Sequence, residues 1–130
     1  MKLNDLLVLS GLLSSTAFCQ PANDACSNAE RLCQNVVLSG TTTGATTNAT
    51  SDYNFCYTSS STVWYLFTTD SDGGTVTVDI TNLSFNPDPT MGQQIEANMI
   101  AATTPCVVSG SYTPVSACAS GATNFSITSS

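Results

Sequence analysis

The chain has 130 residues, of which 8% are charged, with a net charge of −7 and no histidine. So few cations cannot neutralise phosphates, which excludes nucleic acid and anionic membranes as partners. The absent histidine excludes serine and cysteine triads, and a Ser-Lys dyad has only Lys2 to draw on.

Met1-Lys2 is a short basic start, and Leu6 to Leu13 is an apolar run too short to span a bilayer. Ala17 and Cys19 then place small residues at positions −3 and −1 of a cleavage site before Gln20-Pro21. Residues 1–19 therefore read as a secretory signal peptide, and 20–130 as an exported module that is secreted or held at the cell surface. Phe18 is too bulky for the site at which Cys19 would be acylated as a lipoprotein. Without the leader, eight carboxylates face Arg31 alone, and no membrane-inserting segment remains.

In the module, Asp24 to Leu32 is the one helix-like piece, with Asn23 or Asp24 as its N-cap. Val36-Val37-Leu38 reads as the start of a strand running through Ser39 to Thr43, and Gly44 to Ser51 as an edge strand or extended loop. Val63 to Thr68 is apolar on both faces, as in a central strand. Trp64 and Tyr65 accordingly read as core rather than as a sugar-stacking platform. Thr75 to Ile80 alternates strictly, with Val76, Val78 and Ile80 facing in. Asp70-Ser71-Asp72-Gly73-Gly74 separates the two runs, and an antiparallel hairpin is the expectation. Gln94 to Ala101 predicts a strand with Ile95, Ala97, Met99 and Ala101 on one face, in preference to a short helix that the segment also fits. Tyr112 to Val115 predicts a short loop or ribbon, and Asn124 to Thr128 a last strand with Phe125 and Ile127 inside. Short strands, frequent turns and almost no helix predict an all-β, disulfide-stabilised antiparallel β-sandwich with one short N-terminal helix.

Asp70 and Asp72 are the calcium candidates, since carboxylates two residues apart can converge on a hard cation. No terminal acidic residue completes an EF-hand, and a solvated turn is the competing reading. No other cofactor is expected. Asp79 and Glu96 are the only carboxylates considered as a glycosidase pair. Asp79 falls on an outward face, and the chain reads as a non-enzyme. Tyr53, Tyr57 and Tyr112 lie in polar stretches and are the candidate contact aromatics. Asn48, Asn82 and Asn124 each begin an N-x-[ST] sequon, which matters only if the source is eukaryotic.

Gln20 to Ala29 resembles the "PANDxCxxA" opening of a module at the front of large type IX-secreted bacterial surface proteins. Ser39-Gly40-Thr41-Thr42 with Gly44-Ala45-Thr46 resembles its "SGTT…GAT", Val63 to Phe67 its "VWYxF", and Cys106 to Cys118 its late cysteine pair. The resemblance implies a jelly-roll-like sandwich, similar to pre-peptidase C-terminal and CUB-like modules. It implies adhesion or substrate targeting through a carbohydrate or protein ligand at the cell surface, and it carries no catalytic residues. An accessory domain of a secreted hydrolase and a structural spacer are the alternatives.

The expected disulfides are Cys33–Cys56 and Cys106–Cys118, with Cys26–Cys33 as a rival. Cys26 is then left unpaired. Modules of the resembling kind continue beyond the last strand here, often with another cysteine. The expectation is therefore a truncated front end whose Cys26 bonds the missing part.

Overall fold

A computed structural model of the chain describes residues 20–46, 61–70, 72–88, 90, 92–106 and 112–129. They are mostly extended, with a single 3-10 turn at Cys26–Asn28. The strands are β1 (Glu30–Arg31), β2 (Tyr65–Leu66), β3 (Thr77–Ile80), β4 (Ile95–Ala97), β5 (Ile100–Ala102), β6 (Tyr112–Pro114), β7 (Ala119–Gly121) and β8 (Phe125–Thr128). They pair as four two-stranded ladders: β1–β2, β3–β8, β4–β7 and β5–β6.

The helix-like segment yields only that 3-10 turn, and Ala25 stands at its N-cap without a side-chain hydrogen bond. Asn23 and Asp24 are engaged elsewhere, so the expected cap is not made. Glu30 and Arg31 then extend and run parallel to β2, pairing with Tyr65 and Leu66. The N–H groups of Glu30 and Leu32 donate to the carbonyls of Trp64 and Leu66.

The expected hairpin does not form. β2 takes β1 as its partner, and β3 lies antiparallel to β8, nearly fifty residues away in sequence. The glycine turn is real: Gly73 and Gly74 have φ of 69° and 128°, and the Gly73 N–H donates to the Asp70 carbonyl. It reverses the chain locally without bringing the flanking runs into register.

Within β3 and β8 the alternation holds. Val78 faces Ile127 and Ile80 faces Phe125 on one side, while Thr77–Thr128 and Asp79–Ser126 pair on the other. The outer pairs are hydrogen-bonded, at 3.1 Å between the threonine hydroxyls and 2.5 Å from the Ser126 hydroxyl to the Asp79 carboxylate. Such cross-strand pairs are the unit of sheet stability.

β4–β5 and β6–β7 form one antiparallel ribbon broken by a bulge. Between the paired segments, Asn98 and Met99 stand opposite Val115 to Cys118, two residues against four. The Met99 N–H donates to the Ser116 hydroxyl and the Val115 N–H to the Met99 carbonyl. A bulge of this kind changes which side chains face inward. Ile95, Ala97 and Met99 point in as expected, but beyond the bulge Ile100 and Ala102 turn inward and Ala101 is exposed. Of the loop and ribbon alternatives for Tyr112 to Val115, the ribbon is the one formed, with Tyr112–Pro114 a strand paired with β5.

Val36 to Thr43 forms no strand. Cys33 to Val36 is a turn with Asn35 at φ 60°, which leaves Val36 and Val37 exposed at 54% and 88%. The buried apolar side chains among the described residues are Trp64, Met99 and Ile127.

The cysteine pairing differs from expectation. Cys26 is bonded to Cys106, with Cα atoms 5.3 Å apart. Cys33 is free and exposed, and Cys118 is disulfide-bonded to a residue outside the described set. Neither Cys33–Cys56 nor Cys106–Cys118 exists, and Cys26 is not the unpaired thiol. The Cys26–Cys106 bond holds the N-terminal turn against the segment that follows β5, a neighbour that sequence distance conceals.

Candidate functional site

Three of the short motifs converge beside β2. The Asn23 Nδ2 donates to the Trp64 carbonyl at 3.0 Å, and the Trp64 N–H returns a bond to the Asn23 carbonyl at 2.9 Å. Next in the chain, Asp24 is 7% exposed and its carboxylate gathers donors. Thr46 gives its N–H to Oδ1 at 2.5 Å and its hydroxyl to Oδ2 at 2.7 Å, and Gln20 Nε2 reaches Oδ2 at 2.5 Å. The Thr62 N–H donates to the Thr46 carbonyl, closing the ring of segments. Gly40 lies against the Tyr65 hydroxyl, with no room for a Cβ. The "PAND", "SGTT…GAT" and "VWY" residues thus hold one another in place. Buried polar groups are tolerated when each finds partners, and such networks fix a unique arrangement.

The open surface features lie at the Ile80–Phe125 end of the β3–β8 ladder. Chain leaving β3 and chain entering β8 form a wide depression of about 480 Å³ lined by Asn82, Leu83, Ala122, Thr123 and Asn124. Asn82 adopts φ 55°, and its N–H donates to the Asn124 Oδ1 at 3.0 Å. That bond ties the two rims. A smaller depression of about 170 Å³ shares Asn82 and continues along Thr81 and the Val37 to Gly40 segment. The combined lining consists of amides, hydroxyls, backbone and a few aliphatic groups, with no ionisable side chain.

The expected site residues are dispersed. Asp70 and Asp72 are exposed, and the Asp70 Oδ1 accepts the Asp72 N–H at 3.2 Å. No group of three or more cation-binding side chains assembles among the described residues. Asp79 and Glu96 sit on different ladders, both exposed, Asp79 accepting from Ser126. Tyr112 is half-buried in β6. Tyr53, Tyr57 and Cys56 lie outside the described residues, as does the Asn48 sequon with most of the Gly44 to Ser51 segment.

Asp88 belongs to a separate, exposed loop. The Thr90 N–H and hydroxyl both donate to its Oδ1, holding its pKa below the usual value. It organises the Asn86 to Thr90 loop, where the Asp88 N–H donates to Asn86 Oδ1 and Gln93 Nε2 donates to the carbonyls of Asn86 and Asp88.

Sequence reasoning noticed Asn82 and Asn124 only as sequon positions. A polar residue before a strand and another after one carry no sign that they share a rim. No family model, curated protein or solved structure matches this chain.

Proposed function

We propose that the chain is an exported, non-catalytic recognition module that acts at or outside the cell surface. Its build is read as a jelly-roll-like β-sandwich, the front part of a larger surface protein. The ligand is a neutral, hydroxyl-rich carbohydrate. The observation that carries this reading is the Asn82–Asn124 depression, whose lining offers amide and hydroxyl hydrogen bonds beside Leu83 without a charged group. Neutral sugars present dense donors and acceptors next to apolar C–H faces, and sites with a few placed polar groups beside apolar surface suit them. A net charge of −7 favours uncharged over acidic glycans, by like-charge repulsion.

The test is binding of the labelled mature module to a panel of neutral and acidic polysaccharides. Retention on neutral members is expected. It should fall for Asn82→Asp and Leu83→Ser while the unfolding midpoint stays near wild type. Equal retention of wild type and both variants would remove the depression from the account, and release of reducing sugar by the pure module would make it a hydrolase.

A further inference from the structure

We propose that the Asp24 carboxylate receives the new chain end created by cleavage after Cys19, so that the fold itself senses export processing. The proposal rests on the signal-peptide reading of residues 1–19. Asp24 is an unusual acceptor for so exposed a chain end. It is 7% exposed, and its position is set by its neighbour Asn23, which is bonded at both backbone and side chain to Trp64. Gln20, the first residue after the cleavage site, already touches it: Gln20 Nε2 lies 2.5 Å from Asp24 Oδ2. The Asp24 N–H donates to the Pro21 carbonyl at 3.1 Å, a tight turn that folds residue 20 back over the carboxylate. Pro21 further limits the paths that residue 20 can take, because its ring fixes φ.

The chemistry changes at one atom. In the precursor the Gln20 nitrogen is a neutral amide donor. Hydrolysis of the Cys19–Gln20 bond consumes one water. The carbonyl carbon of Cys19 takes the hydroxyl and becomes a carboxylate, and the Gln20 nitrogen becomes an α-amine. That amine is protonated below a pH of about 8. A buried carboxylate gains more from a cation than from a neutral amide, since the attraction between two opposite full charges adds to the hydrogen bond. The ammonium belongs to the residue whose side chain already reaches Asp24, so a rotation about the Gln20 Cα–C bond exchanges one donor for the other. A residue added before Gln20 would carry the charge about 3.8 Å further along the chain.

The experiment uses the oxidised mature chain exported behind its own leader, and the same chain with one alanine before Gln20. N-terminal sequencing should find an unblocked Gln20. In denaturant, the alanine-extended chain should show an unfolding equilibrium constant about fivefold larger or more. The difference should vanish when both chains carry Asp24→Asn. If Asp24→Asn does not fold, selective acetylation of the α-amine of the native chain takes its place and should reproduce the loss. A first residue other than Gln20, or a blocked one, overturns the proposal through the leader reading. Equal stability of native and extended chains, or a difference that survives Asp24→Asn, overturns it with the leader reading intact.

Discussion

Trp64 is where the interior of this protein is most sensitive to a single change. It is buried at 8% exposure, and both its backbone groups are bonded to Asn23. Trp64→Ala should destabilise the fold by ~3–5 kcal/mol in chemical denaturation, with a cavity left where the indole was. A loss within error would place the ring outside the core. Asp24 gives a second comparison. Asp24→Ala strands the Thr46 N–H and should cost about 2–3 kcal/mol, whereas Thr46→Val removes one hydroxyl bond and should cost about 1 kcal/mol. The tryptophan was legible in sequence because apolar residues flank it on alternating positions. Asn23 and Asp24 were not. In a local reading they are helix caps, and their actual partners lie 41 and 22 residues away.

The alternation of Thr77 to Ile80 and Phe125 to Thr128 gave each strand its correct inner face, Val78 and Ile80 against Ile127 and Phe125. What the alternation cannot give is a partner. A glycine turn between two apolar runs reads as a hairpin, yet sheet stability lies in the cross-strand pairs, and those of β3 are made with β8. The Met99 bulge was invisible for a similar reason. It depends on extra residues in the opposite strand, not on anything in Gln94 to Ala101. Gly121 tests the β7–β8 corner, where an added Cβ would meet the Phe125 ring at 2.8 Å and the Thr123 carbonyl oxygen at 2.9 Å. Gly121→Ala should lower the unfolding midpoint more than Gly40→Ala, because the half-exposed Tyr65 can swing away and the Thr123 backbone cannot. The Asn86 to Thr90 loop has a pH signature. Its Asp88 has a depressed folded pKa, so its contribution is present above the ordinary carboxylate value near 4 and disappears as the pH falls through the lower, folded value. Protection of the Thr90 amide from exchange, relative to its intrinsic rate at each pH, should fall only at the acid end, and the Asp88→Asn variant should lose that dependence.

At the scale of the whole molecule, the Cys26–Cys106 bond joins the N-terminal turn to the end of β5 across 80 residues of sequence. A loop of that length restrains the unfolded chain strongly, and the Cys26→Ser, Cys106→Ser double variant should lose ~4 kcal/mol. Non-reducing peptide mapping should recover the pair, and a thiol reagent should label Cys33 in the native state. The bonded Cys26 removes the cysteine argument for a missing partner segment. The Asn82–Asn124 rim, where binding is proposed, lies at the Ile80–Phe125 end of the β3–β8 ladder. A strand-rich chain with almost no helix was readable from strand spacing and composition, whereas the small two-stranded ladders and the rim were not, because they exist only once distant strands such as β3 and β8 are paired. The most direct measurement is amide chemical-shift mapping of the isotope-labelled mature module during titration with the neutral oligosaccharide it retains best. The account predicts saturable shifts concentrated at Asn82, Leu83, Thr123 and Asn124. Shifts centred on Asp79 and Glu96, or none at the rim while binding persists, would contradict it.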